Sequence, residues 1–462
     1  MMAAPALFMA LCQLASLQQA AAEVLPPAPM RLAPPPPFGH ALRDEFMFDP
    51  NTTNFNHGSY GGTPAAVFEQ QIAHVRYIEG FIITRIVGDW YRAQLLAIRK
   101  RISAYIGAPW EDTVLVDNAS NALNTLLNMW KFQPNEVILD FSTAYSNFQN
   151  TYRWVQAARN VSTVTVPFTF PLAGPEVIVD SLRATLAQLK ANNTKVGVAI
   201  ISQVSSWPAI LLPVADLVAI LKAEGIPSIV DGAHALGATP VNLAALGSPE
   251  FWFGNGHKWL YTPKSTCALY VNKSFQTATW PEPTVVDSFG DAFADRYVWD
   301  GTRDRSAFVA MGDAMDFRDN LGEEALMTYI NNLSKDGAAL MVKIMGTANR
   351  GVGGLVAPSS MQATMHNVIA PTTGNATNQA NQCNMISSQL QTKCPLHCIS
   401  LCSLPLILQS SDEKAVATEQ VPHSDLRRCC RHDPLLSARA RADLPRPQRL
   451  PAARPRGAGD PE

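Results

Sequence analysis

Between about Asp44 and Thr392, short apolar runs of strand character alternate with stretches whose apolar residues recur at helical spacing. Parallel strands cannot be joined by tight turns, so each strand–helix–strand step is a crossover, and the helices end up covering the faces of one sheet. The strand candidates are Thr113–Asp117, Glu136–Asp140, Val196–Ser202, Ser228–Asp231 and Thr266–Val271. Helical spacing fills Asn121–Met129, Ser181–Lys190 and Val214–Glu224. The pattern predicts an α/β fold with a large, mostly parallel sheet. A length of 462 residues leaves room for one such unit and a smaller companion.

Composition removes several function classes. The chain has 36 Lys and Arg against 38 Asp and Glu, a net charge of −2. It therefore has neither the basic field of a nucleic-acid binder nor the acidic excess of a disordered chain. Eight cysteines, five of them after Lys393, are too few and too unevenly spread for a disulfide-built scaffold. No apolar run reaches the roughly 18 residues that a membrane-spanning helix needs, and there is no internal repeat.

The two ends read differently from the middle. Residues 1–22 hold an apolar block, Ala3–Leu17, and a small-residue run, Ala20-Ala21-Ala22, the pattern of a secretory signal. The first basic residue is Arg31, so the charged start of such a signal is missing, and a cytoplasmic location is the alternative. Residues 23–43 form a proline-rich linker, and Pro26–Pro37 is expected to be extended polyproline II and not packed. After Lys393 the chain becomes low in complexity. Residues 421–462 contain nine Arg, seven Pro, no Lys and no aromatic residue. A disordered tail, or a translated intron or frameshift, explains 393–462 without a function.

Chemistry concentrates in Ser228–Val271. Ser228-Ile-Val-Asp231-Gly-Ala-His234-Ala-Leu-Gly237 is a buried strand that ends in a carboxylate and turns on small residues. In parallel α/β sheets the carboxyl ends of strands border the ligand crevice, which places Asp231 at a site. Lys258 lies in Gly254-Asn255-Gly256-His257-Lys258-Trp259, after Trp252 and Phe253. Apolar surroundings disfavour its ammonium and suit a lysine that condenses with a carbonyl. Each residue alone has an ordinary explanation: a turn-forming Asp, a packed His, a surface Lys. Together they describe a pyridoxal-phosphate site, with an acid for the pyridine nitrogen and a lysine for the aldehyde. Val114–Asn124 supplies a phosphate cradle in which a strand leads through Asp117 and Asn118 to a helix start at Ala119-Ser120. The sequon at Asn118 would then stay unglycosylated. Nothing matches a dinucleotide fingerprint or a nucleotide P-loop, and no cluster of residues suggests a metal site.

Asn56-His57-Gly58-Ser59-Tyr60-Gly61, Asn118–Asn124, Asp231–Gly237, Asn255–Trp259 and Trp299-Asp300-Gly301-Thr302-Arg303-Asp304 follow in that order. This series resembles the class V aminotransferase-fold enzymes, in particular the branch of isopenicillin-N-epimerase-like and cysteine-desulfhydrase-like proteins. The resemblance covers 44–392. It implies pyridoxal-phosphate fold type I, with a large domain of about 85–320 and a small domain built from 44–84 and 321–392. It implies that Lys258 binds the cofactor aldehyde and later carries the α-proton, and that Asp231 pairs with the ring nitrogen. His234 and Ser206 match positions near the phenolic oxygen. Ala119, Ser120, Asn255 and His257 match phosphate contacts, and Tyr145 matches a ring stacked on the cofactor. Gly301 and Thr302 match a loop reaching the neighbouring subunit's phosphate, which implies a homodimer with shared sites. His57 and Gly58 match a loop closing over an amino-acid substrate.

The expected activity is epimerisation, C–S lysis or transamination, since all three begin with loss of a substituent at the α-carbon. Cys383, in a stretch of helical spacing, and Cys267, in a strand, read as structural, which disfavours a persulfide-forming desulfurase. Asn255 stands where many desulfurases have serine. Nothing after Lys393 matches the family's arginine for the substrate carboxylate. The alternative reading is therefore a catalytically impaired relative that binds cofactor or serves as a dimerisation partner.

Overall fold

A computed structural model of the chain describes residues 26–30, 32–86, 88–128, 130–277, 280–281, 292–372 and 396–397. The expected leader, the Cys383 segment and all but two residues of the tail lie outside this set. In chain order, β1 (Thr53–Asn54), α1 (His57–Tyr60), α2 (Ala65–Glu79), α3 (Ile82–Ile86) and α4 (Asp89–Ile106) precede β2 (Thr113–Val116). The central part runs α5 (Ala119–Asn128), β3 (Glu136–Phe141), α6 (Ser146–Arg159), β4 (Thr163–Val166), α7 (Glu176–Ala191), β5 (Lys195–Ser202), α8 (Val214–Ala223) and β6 (Ser228–Asp231). Then follow β7 (Phe251–Asn255), α9 (Gly256–Trp259), β8 (Cys267–Val271), α10 (Ser306–Leu321), α11 (Glu323–Met345) and β9 (Leu396–His397).

Seven strands form the main sheet in the order β2-β8-β7-β6-β5-β3-β4. Only β8 runs antiparallel to its neighbours, β7 and β2. The expected mostly parallel α/β sheet is thus observed. β1 and β9 pair separately, in parallel. Side chains alternate between two apolar layers. In β6, Val230 faces the layer that holds Ile102, Leu182 and Leu217, whereas Ile229 faces the layer that holds Leu123, Leu126 and Phe148. Alternation puts Asp231 on the second face, under α5 and α6. Full burial of each Leu or Ile in these layers contributes about 1.5–3 kcal/mol.

Four sequence expectations need correction. β4 was not anticipated because it lies at the sheet edge and only Val166 is buried; half-exposed Thr-Val-Thr-Val lacks the continuous apolar run of a central strand. Phe251-Trp252-Phe253, in the sequence only apolar surroundings for Lys258, is itself a fully buried strand, β7. α7 starts at Glu176 and not Ser181, because Pro175, with φ −66°, pre-sets the first turn and Glu176 sits where the helix dipole favours an acid. The proline-rich stretch has no regular secondary structure, but it is packed. Met30 and Leu32 lie against the cluster of Val67, Tyr261, Phe317 and Leu326. Phe38 stacks on Tyr329 at 4.8 Å, and Gln70 and Asn320 donate to the carbonyls of Ala28 and Ala33.

Candidate active site

The site is built where β6 and β7 end. β6 delivers Asp231, and its following turn delivers His234. β7 delivers Asn255, and the single turn α9 presents His257 and Lys258. Lys258 Nζ lies 3.0 Å from His234 Nε2. Gly237 makes the approach of the two turns feasible, because a Cβ there would stand 2.5 Å from the backbone of Trp259.

Burial sets the charges. Desolvation lowers Lys258 to about 8, with the Asp231 charge opposing that shift. Desolvation raises Asp231 to about 6, against the Ala233 amide, the Lys258 charge and the Ser202 hydroxyl. The Ala233 amide donates to Asp231 Oδ1 at 2.9 Å. His234 is held well below its ordinary value by desolvation first and then by Lys258, so it is neutral. When Lys258 is an ammonium, its proton goes to His234 Nε2, and the ring's own hydrogen is on Nδ1. That Nδ1 is buried with no hydrogen-bond partner among the described residues. An unpaired buried donor costs about 1–3 kcal/mol, and a ligand acceptor would offset it.

The expected cradle sits on the same layer. Asn118 caps α5: its Oδ1 accepts from the Asn121 amide at 2.9 Å. The Ala119 amide donates to Asn255 Oδ1 at 2.9 Å. Ala119 and Asn255 are therefore brought together, but they bond each other, which makes this pair a brace between β7 and α5. Ser120 remains half-buried on the first turn, with Asn124 Nδ2 on its carbonyl at 2.8 Å. His257 Nδ1–H donates to the Thr266 carbonyl at 3.2 Å, and burial, then Lys258, lower it to about 4.

Other expected residues are nearer the rim. Tyr145 precedes α6, is 36% exposed, and its ring meets Phe148 edge-on at 5.6 Å. Ser206 is half-buried on the loop after β5, where its neighbour Ser205 is the residue locked into the backbone, donating to Pro208 at 2.6 Å. His57 Nε2–H donates to the Lys258 carbonyl at 2.8 Å, and burial lowers it to about 4. Gly58 is buried; a Cβ there would meet Met365 Sδ at 2.7 Å and His234 Nδ1 at 3.5 Å. Gly301, with φ +109°, and exposed Thr302 lie on a loop whose Arg303 pairs with Asp117 at 2.5 Å, just before the cradle. Sequence reasoning missed Arg318 of α10, fully buried and bonded to the carbonyls of Trp259 and Gly237. Its one sequence signal was a lone Arg among Met315, Phe317 and Leu321.

These residues suit pyridoxal phosphate: a lysine amine with a lowered pKa, a buried carboxylate beside it, an unpaired His234 nitrogen, and Ser120 at the start of α5 for the phosphate. Among the described residues no group of three or more His, Cys, Asp or Glu could hold a metal.

Residues 89–379 match the family model described as aminotransferase class-V. The chain belongs to that family, and it is a pyridoxal-phosphate-dependent enzyme. An L-cysteine desulfhydrase-like protein, lolT2, of Epichloe uncinata is 28% identical over 335 residues, 67% of this chain and 71% of that protein. The hercynylcysteine sulfoxide lyase of Schizosaccharomyces pombe is 28% identical over 326 residues, 67% of this chain and 80% of that protein. The isopenicillin N epimerase of Amycolatopsis lactamdurans is 27% identical over 319 residues, 63% of this chain and 75% of that protein. Among solved structures, the apo cysteine desulfurase of Thermococcus onnurineus NA1 shares the fold with TM-score 0.55 and 14% identity, over 74% of this chain and 82% of that one.

Proposed function

We propose that this protein cleaves the β-carbon–sulfur bond of a cysteine-type amino acid, using pyridoxal phosphate held by Lys258. The observation that carries the reading is the contact of Lys258 Nζ with neutral His234 Nε2, next to buried Asp231. The choice of C–S lysis within the family is supported by the relatives named as a cysteine desulfhydrase-like protein and a sulfoxide lyase. The cofactor supplies a sink for the electrons left at the α-carbon when its proton departs. Lys258, with a pKa of about 8, is uncharged in a useful fraction near neutrality and can take up that proton at Nζ. Asp231, ionised above about pH 6, sets a fixed negative charge where a ring nitrogen must stay protonated. His234 keeps Lys258 oriented, and Ser120 at the start of α5 would hold the phosphate. With L-cysteine and water the balanced products are pyruvate, ammonia and hydrogen sulfide.

Assay of the full chain with L-cysteine and related thioethers tests this reading. Sulfide or thiol released in step with pyruvate is expected, as is a borohydride-fixed cofactor adduct on Lys258. Inversion of the α-carbon with sulfur retained would make the chain an epimerase. A coloured, folded protein inert to every amino acid would support the impaired-relative reading.

A homodimer is part of the same proposal. Phe55, Tyr60, Phe81 and Ile83 expose apolar surface around α1 and α3, with Ile83 at 78% and Tyr60 at 76%. That much apolar surface favours a partner of the same kind. In such a pair, Gly301 and Thr302 would serve the neighbour's phosphate. Secretion through residues 1–22 is tested by sequencing the mature N-terminus.

A further inference from the structure

α10 carries one charged residue with no solvent exposure, Arg318. A buried guanidinium is stable only if its N–H groups are met and its charge is balanced. Four of its five N–H groups are met and its charge is balanced. Glu323, at the start of α11, accepts from Nε at 2.7 Å and from Nη2 at 2.5 Å. Tyr105 donates to the same Glu323 at 2.6 Å, and the Tyr261 ring faces the guanidinium at 5.1 Å.

The remaining donors reach two carbonyls that matter. Nη1 donates to Trp259 at 2.6 Å, and Nη2 donates to Gly237 at 3.0 Å. Trp259 directly follows Lys258. Gly237 closes the turn that carries His234. α9 is only four residues long, too short to hold its own geometry through internal hydrogen bonds. His57 fixes the Lys258 carbonyl, and Arg318 fixes the next one. One rigid, planar group therefore grips both backbone segments whose side chains meet at 3.0 Å. The neighbouring Glu323 balances its charge, so its influence on Lys258 is one of geometry.

We infer that Arg318 is a positioning residue, which sets the Lys258–His234 contact by holding the Trp259 and Gly237 carbonyls together. The inference rests on the reading of Lys258 as the cofactor-bearing lysine. Lysine at 318 keeps the charge beside Glu323 but cannot span both carbonyls, so α9 loosens and Lys258 gains water.

The test compares the full chain with Arg318→Lys, Glu323→Gln and the double variant Arg318→Met/Glu323→Gln. Circular dichroism reports folding. Labelling of the Lys258 amine across pH, located by mass mapping before cofactor is added, reports its titration. The wild-type midpoint is expected near 8. In Arg318→Lys it should rise by about one pH unit toward the ordinary lysine value, cutting labelling at pH 7 about tenfold. Gly225→Ala, in an open turn, is the control for stability loss alone and should leave the midpoint in place. A folded Arg318→Lys chain with an unmoved midpoint overturns the inference. If both Arg318 variants fail to fold, Glu323→Gln decides by hydrogen exchange of the α9 amides, a readout its charge change does not set: a freed guanidinium should speed that exchange, and unchanged exchange overturns the inference. Failure of the cofactor reading shows separately, as a wild-type chain that gives no borohydride adduct on Lys258.

Discussion

Asn255 Oδ1 accepts a hydrogen bond from the Ala119 amide at 2.9 Å, joining the strand that leads to Lys258 with the first turn of the cradle helix. Both residues are buried, so the bond is shielded from water. Asn255→Ala leaves the amide unpaired and lets the helix start drift from Lys258. A lost buried hydrogen bond of about 1–1.5 kcal/mol should weaken cofactor retention about fivefold to tenfold. Equilibrium dialysis of pyridoxal phosphate against both proteins measures it; equal retention would show that the brace does not serve the cradle.

Asp231 gives the cofactor-free chain an unusual pH dependence. Its folded value, about 6, lies above the ordinary 3.8. From about pH 4 to 6 the unfolded chain releases this proton while the folded chain keeps it, so stability falls as pH rises through that window. The full difference is about 3 kcal/mol, with the opposing attraction of the Lys258 ammonium already included. Relative to wild type, Asp231→Asn should therefore gain about 2–3 kcal/mol of stability between pH 4 and pH 8. Urea unfolding at the two pH values is the measurement. A variant with no such relative gain at pH 8 would contradict the burial argument.

His57 acts with the opposite sign. Burial holds it near 4 in the folded chain, while the unfolded chain takes up its proton near 6.5. Stability from this group is complete above about 6.5 and is lost as pH falls toward 4. The proton-detected titration of the His57 ring should show no midpoint between pH 5 and 8. His57→Ala should reduce the acid sensitivity of the melting temperature between pH 6.5 and 4, and should loosen α9 by removing the donor to the Lys258 carbonyl.

The dimer proposal makes a direct prediction on α3. Ile83→Asp places a charge on a side chain that is 78% exposed in the single chain. It should leave the fold intact and convert the proposed dimer to monomer in sedimentation equilibrium, with cofactor retention falling in parallel if each site, as proposed, draws on the neighbour's Gly301 and Thr302. A variant that stays dimeric moves the interface elsewhere.

Asp231 and Lys258 were legible because each stands in a few contiguous residues whose local chemistry is unusual: a carboxylate ending a buried strand, a lysine among glycine and tryptophan. The order of layers was legible for the same reason, through periodicity. Arg318 was not, because its meaning depends on Trp259 and Gly237, 59 and 81 residues away, and helical spacing alone treats it as a surface charge. In the sequence Ala119 and Asn255 look like two separate phosphate contacts, since only the fold brings residues 136 positions apart together as a brace. Packing of Met30 and Leu32 is not legible in the sequence, because prolines around them speak of backbone shape and not of what the side chains between them bury.

Gly61 and Gly225 share φ +70°, so they separate backbone strain from steric contact. At Gly61 a Cβ would stand 1.8 Å from the His257 carbonyl and 2.7 Å from that of Lys258. At Gly225 a Cβ would meet nothing within 4 Å. Gly225→Ala should therefore cost only the backbone term, about 1 kcal/mol. Gly61→Ala must also push the α9 carbonyls away, adding about 1–3 kcal/mol of overpacking, and should displace Lys258 enough to lose the cofactor. Thermal unfolding and the visible spectrum of the two variants make the comparison. Equal melting temperatures, with colour retained in both, would mean that the Gly61 turn is not pressed against the lysine turn.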